Sequence, residues 1–211
     1  MFSRVLDRLR HKINDGKLES RAENTVQWSE QIVVLTLTSS LLAVLAIYLE
    51  NQFLLIGAMI VAPFIDPIIS AVIFFLSKKY RNFGRALLKY AAISGLGFIV
   101  AVISFLLLEF AGREIGYSQF FVNLGVEYFL AAVLLGIVGS YLWVWKDTSN
   151  VGAGISIGIS LVPPLVNSAR GLVLLDLSVF LGSFTFFVFN TIGIMLGAYF
   201  VLHEKYHVKE V

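Results

Sequence analysis

The sequence predicts an all-α, polytopic integral membrane protein of six transmembrane helices, arranged as a 3+3 inverted repeat with proline-broken second and fifth spans. Three observations predict this: the composition, six apolar segments of helix length, and the positions of four prolines. Of 211 residues, 58% are apolar and only 14% are Asp, Glu, Lys or Arg, where a soluble domain runs at about a quarter charged. A chain this size that is mostly intramembrane has no room for a large catalytic domain. With no Cys, disulfides, thiolate metal sites and cysteine nucleophiles are excluded. The net charge of +2 follows topology, and the polar segments lack the base-reading or stacking groups that nucleic-acid binding needs.

The elements follow in chain order. Residues 1–29 form a polar, basic arm in which Phe2, Val5, Leu6, Leu9 and Ile13 fall at helical spacing between Arg and Lys. It reads as an interfacial helix on a leaflet, or as a helix packed on another subunit or domain. An arm this polar is no cleavable signal peptide, so the first span is expected in the mature protein. The membrane domain, 30–202, holds spans at about 32–49, 53–77, 88–108, 120–145, 148–170 and 177–202, each long enough for about 20 helical residues. None alternates apolar and polar as an outer-membrane strand does. Residues 203–211 form a short tail. Fourteen of the 16 Lys and Arg fall on one side of this six-span path and only Arg113 and Arg170 on the other. By the positive-inside rule both termini are cytoplasmic.

All four prolines, Pro63, Pro67, Pro163 and Pro164, lie inside spans. Pro63 and Pro164 are 101 residues apart, each preceded six residues earlier by a glycine, Gly57 and Gly158. Span two is the middle helix of the first three and span five of the last three. With an odd number of helices per half, the second half inserts upside down. An interior proline removes a donor and clashes with the carbonyl four residues back, here at Met59, Pro63, Ile159 and Ser160. Two broken helices meeting at mid-membrane would present bare carbonyls and helix termini to an ion or polar solute. The competing reading is two kinked helices packed without a ligand.

Asp66, between Pro63 and Pro67, is a carboxylate at membrane depth, which costs a few kcal/mol unless protein or water receives it. The 101-residue offset pairs it with Asn167, with Ser70, Ser156 and Ser160 nearby. These form the expected binding set, against an interhelical hydrogen bond or a structural pair with Arg170. Glu127 is a second carboxylate, expected to form an ion pair with Arg170 or to line a cation-attracting vestibule. Asn190 reads as a helix-to-helix contact. The small-residue pairs Gly154/Gly158 and Gly193/Gly197 read as close internal packing in preference to dimerisation. Gly154–Gly158 matches G-x-S-x-G, but it lies in an apolar helix and the three histidines, His11, His203 and His207, fall in the terminal segments, so a serine hydrolase is rejected. No cofactor motif appears, and the identity of any metal is not readable.

The run Ile56-Gly-Ala-Met-Ile-Val-Ala-Pro-Phe-Ile-Asp-Pro-Ile68 resembles the Gly-Ala-Met-hydrophobic-Pro-x-x-Gly-Pro signature of the prokaryotic membrane family called domain of unknown function 389. Leu161-Val-Pro-Pro-Leu165 and the Phe-x-x-Asn run around Asn190 are also similar to that family, and the likeness covers roughly Ser29 to Leu202. It implies a multi-pass protein of the prokaryotic cytoplasmic membrane and no assigned activity. Asp66 stands where the family usually has Gly, so the carboxylate is not general to it.

The function expected is a transporter or channel for a small ion or polar solute, with a homo-oligomer expected because six short helices make a small bundle. The rival is a non-transporting scaffold or sensor subunit. An intramembrane enzyme comes third, lacking a nucleophile and base at one depth.

Overall fold

The computed structural model describes residues 15–115, 125–144 and 150–207. Within these, only the backbone is described for 15–17, 150–160 and 204–207. The hydrophobic positions Phe2 to Ile13 of the arm and the side chains of Ser156, Ile159 and Ser160 therefore lie outside the described residues. The described residues form helices α1 (Asp15–Val26), α2 (Glu30–Tyr48), α3 (Gln52–Val61), α4 (Ile65–Leu76), α5 (Tyr80–Phe110), α6 (Val126–Val144), α7 (Asn150–Val173) and α8 (Leu177–His207), with no strand among them. Four of these, α2, α5, α6 and α8, are long and apolar enough to cross a membrane, and the bent pair α3–α4 makes a fifth such unit. The chain is a membrane protein built of helices, the one open architecture that satisfies its own backbone groups in lipid.

Local chemistry sets the helix ends. The Ser29 side chain accepts from the Ile32 N–H and Asn51 accepts from Phe53 and Leu54, so α2 and α3 each start on a side-chain cap. Helices α2, α4, α5 and α7 end in the same tight turn, in which a backbone N–H reaches five residues back: Asn51 to Ala46, Lys79 to Phe74, Arg113 to Leu108 and Asp176 to Gly171. The turn residue has positive φ in each, at Glu50, Lys78, Gly112 and Leu175. This is the Schellman closure, here made three times without glycine.

The two proline pairs behave differently. Span two is broken at residues 62–64, where the axes of α3 and α4 differ by 45°. Pro63 follows Ala62, which is extended (φ −64°, ψ 129°), as a residue before proline prefers. Pro67 falls in the first turn of α4, where its missing N–H would have no partner anyway. Four residues apart, the two prolines end one helix and start the next. The carbonyls at the end of α3 do not all go unmet, because the Ser39 hydroxyl donates to the Ala58 carbonyl at 2.8 Å. The expected break in span five is corrected: α7 runs through Pro163 and Pro164 without interruption. Adjacent prolines delete donors from a single turn, and residues 161–170 are all buried, so packing on every side holds the helix through the defect.

Two boundaries also move. α5 starts at Tyr80, well before residue 88, and α8 runs past residue 202, because helix propensity carries both beyond their apolar cores. The glycines of α8 serve internal packing. A Cβ on Gly197 would fall against the Val133 carbonyl oxygen, and one on Gly136 against the Ile194 carbonyl oxygen, so α6 and α8 touch backbone to backbone. The core comprises side chains from every helix, including Leu18 and Ala22 of α1, Ile68 to Phe74 of α4 and Leu161 to Val166 of α7.

Candidate functional site

Asp66 sits in the first turn of α4, where the positive end of the helix dipole favours a carboxylate. Its Oδ1 accepts a hydrogen bond from the Trp143 indole N–H at 2.8 Å. Trp143 is 1% exposed, one residue from the end of α6. Its carbonyl, one of the four that the helix leaves unmet, accepts from the Arg21 guanidinium at 2.6 Å. The same guanidinium lies over the indole ring, 4.1 Å from its centre, in cation–π geometry. One tryptophan thus ties the break to α1. Burial lowers the Arg21 pKa, and the Asp66 carboxylate works against that shift.

Lys89 completes the cluster. It is 3% exposed, lies in α5, and donates from Nζ to the carbonyls of Thr25 and Gln27, the latter at 2.6 Å. These are the terminal carbonyls of α1, where a cation also meets the negative end of the dipole. The Lys89 Nζ also lies 5.9 Å from the centre of the Trp28 ring. A hydrogen bond of 2.6 Å joins the hydroxyls of Thr25 and Ser70. Helix α1 is therefore docked on α4, α5 and α6 of its own chain, while Phe2 to Ile13, which carry the sequence readings of the arm, lie outside the described residues.

At its outer flank α1 is tied by Lys79, which meets Glu19 at 2.8 Å and Glu23 at 3.3 Å. Burial raises the Glu19 pKa, but hydrogen bonds from Lys79 and Ser77 and the Lys79 charge outweigh it, leaving Glu19 below its ordinary value. A depressed carboxyl contributes stability above its unfolded pKa and loses it as pH falls through the folded pKa. Docking of α1 is expected to weaken below the ordinary Glu range and stay unchanged from there to neutrality. The emission of Trp28 and Trp143 followed from pH 7 to pH 3 checks this. A Glu19→Gln variant with the same acid profile as the native chain contradicts it. The effect is modest, because Lys79 is 40% exposed and exposed pairs are screened.

The other expected residues fall elsewhere. Asn167 is 1% exposed and donates to the Ser183 hydroxyl at 2.8 Å, linking α7 to α8. Asp66 and Asn167 thus have different partners. Ser70 belongs to the α1 contact, and Met59 is buried at the end of α3. Arg170 is 1% exposed, whereas Glu127 is exposed in the first turn of α6 with its carboxylate folded back on Gly125. Asn190 is buried in α8. Pro163 and Pro164 are buried within α7. Among the described residues, no three His, Asp or Glu come together.

Sequence reasoning missed Arg21, Thr25, Lys89 and Trp143. Lys89 carried a signal, since it stands inside the apolar run Leu87-Leu88-Lys89-Tyr90-Ala91, where a cation needs a specific partner. Nothing in the sequence marked the other three.

Comparison with known proteins gives a family and a distant relative. Residues 59–196 match the family described as Domain of unknown function (DUF389). The chain is 25% identical over 151 residues to an uncharacterized protein of Methanocaldococcus jannaschii, covering 71% of this chain and 46% of that protein. The chain thus spans under half the length of that relative. No solved structure matches it.

Proposed function

The chain belongs to the domain of unknown function 389 family, and on that premise we propose that it is a six-span transporter or channel for a small ion or polar solute whose path runs past the α3–α4 break. The observation that carries this reading is the break itself: an interrupted helix in the apolar bundle, with a carboxylate in the first turn beyond it. Bare helix ends beside an ionisable group are what broken-helix transporters use to bind solutes. In this reading Asp66 exchanges its Trp143 partner for the solute, Pro63 and Pro67 hold the gap, and α1 covers it from the side of both termini.

The 3+3 inverted repeat belongs to the proposal, with α7 as the sixth span. Helix lengths support it: 19 residues (α2), 10 and 12 (α3, α4) and 31 (α5) against 19 (α6), 24 (α7) and 31 (α8). Helices α5 and α8 start 97 residues apart (80 and 177) and end 97 apart (110 and 207). The turns before them match as well, with Lys78 at φ 57° and Leu175 at φ 55°. Tyr90 and Phe187, also 97 apart, stack with centres 6.0 Å apart and planes at 10°, as two mates meeting on a pseudo-twofold axis would. This register replaces the 101-residue offset. It pairs Pro67 with Pro164 and Ser70 with Asn167, and it sets Ser160 against Pro63. The second half thus lacks the proline that ends α3, which accounts for the continuous α7.

Flux into vesicles carrying the purified protein, driven by gradients of defined salts and small polar solutes, tests the reading. Asp66→Asn keeps the shape and removes the charge. It is expected to cut flux at least tenfold, about 1.4 kcal/mol or more in the barrier. Unchanged flux removes Asp66 from the path, and native flux no greater than that of empty vesicles for every solute removes transport.

The docked α1 favours a second reading, a sensor subunit in which a signal acting on the arm reaches the break through Arg21 and Trp143. A homo-oligomer in the cytoplasmic membrane, with both termini inside, completes the proposal.

A further inference from the structure

We propose that the outer face of α5 holds one anionic phospholipid, with its phosphate on Arg81 and Arg85 and an acyl chain along Leu88, Ala92, Gly95 and Ile99. These six residues follow one another at steps of four and three, so they form a single stripe along the helix. Arg81, Arg85 and Ala92 are exposed, as are Leu88 at 70% and Ile99 at 55%. The charge is confined to one end and the apolar surface continues from it, matching the layout of a phospholipid.

The dimensions agree. With 31 residues, α5 is about 46 Å long at 1.5 Å per residue, longer than a hydrocarbon core of about 30 Å. Its first two turns therefore stand at headgroup level, where Tyr80, 65% exposed, is also suited to sit. From Leu88 to Ile99 the helix rises about 16 Å, close to the depth of one leaflet, about 15 Å. Midway, a Cβ on Gly95 would meet nothing within 4 Å, so the stripe dips where a chain can lie.

The two arginines differ from the neighbouring Lys79. Lys79 is engaged by Glu19 and Glu23, whereas Arg81 and Arg85 have no hydrogen bond, ring contact or ion pair among the described residues. One turn apart, their guanidinium groups can converge on one phosphate, and a guanidinium matches phosphate oxygens two at a time. Charge complementarity selects an anionic lipid over a zwitterionic one and over a second copy of this stripe, which would bring like charges together.

Vesicles of phosphatidylcholine holding the full chain, with a trace of either spin-labelled phosphatidylglycerol or spin-labelled phosphatidylcholine, measure the preference. The native chain is expected to hold phosphatidylglycerol roughly five- to twentyfold more strongly at low salt, from two basic groups at the surface. Arg81→Gln with Arg85→Gln should bring the ratio near one with the melting temperature unchanged, since both side chains are exposed. Arg113→Gln, remote in sequence from the stripe, should leave it intact. Gly95→Trp fills the dip and should lower the ratio with both arginines present. Equal binding of the two lipids by the native chain, or a preference surviving the double variant, overturns the proposal. So does efficient disulfide pairing between copies carrying Ala92→Cys, which would mean a second copy covers the stripe.

Discussion

Lys89→Met is expected to release α1 from the bundle and to cost about 3–5 kcal/mol, the range for removing one partner of a buried, charge-assisted cluster. Methionine keeps most of the stem and all of its apolar packing. What it removes is the ammonium that satisfies the Thr25 and Gln27 carbonyls. Those carbonyls then have no intrahelical donor, and the negative end of the α1 dipole faces the core uncompensated. Undocking α1 also withdraws Arg21 from Trp143 and Thr25 from Ser70, so the loss spreads beyond a single hydrogen bond. Limited trypsin digestion is a direct readout, because Arg21 is half-buried beneath α6 when docked. Cleavage after Arg21 should speed up by more than tenfold. Lys89→Arg keeps a cation and should fall between the native chain and Lys89→Met. Unchanged digestion and an unchanged melting temperature in Lys89→Met contradict the role given to Lys89.

The contrast between Lys89 and Asp66 shows what the sequence made legible. Helices, membrane character and the break in span two follow from composition, apolar run length and the spacing of Pro63 and Pro67, all local properties. Asp66 was visible as a site because a carboxylate in an apolar run is costly wherever it goes. Its partners were not, because Trp143 lies 77 residues away and Arg21 sits in an arm whose charges also satisfy a topology rule. Lys89 satisfies the same topology rule although it stands inside a span. The proline pairs at 63/67 and 163/164 looked equivalent by composition. The structure separates them by spacing, since prolines four apart can serve as a stop and a start, while adjacent ones cannot.

Gly197→Leu should separate α6 from α8 and destabilise the fold by more than about 3 kcal/mol, beyond the usual overpacking cost. The added side chain meets the Val133 carbonyl and the Ile137 backbone nitrogen. Backbone atoms within a helix cannot rotate out of the way as a side chain can. Gly136 makes the reciprocal approach to Ile194, so the two helices have no slack from either direction. Gly57→Ala is the control. No atom lies within 4 Å of a Cβ built there, and alanine favours a helix by about 1 kcal/mol over glycine, so the change should be neutral or mildly stabilising. Thermal unfolding in detergent, read by loss of helical circular dichroism, compares the three chains. A Gly197→Leu protein that melts within a degree or two of the native one contradicts the backbone contact.

The chain has no cysteine, so single cysteines can be read against a silent background in lipid. Cysteines placed at Pro63, Asp66, Leu165 and Ile194 and treated with a charged, membrane-impermeant thiol reagent ask whether the break is wet. A polar path past the α3–α4 break requires Pro63→Cys and Asp66→Cys to react at least tenfold faster than Leu165→Cys and Ile194→Cys, whose positions are 3% and 0% exposed. Equal inertness at all four positions means that the centre is dry and packed, and it contradicts a solute path at Asp66.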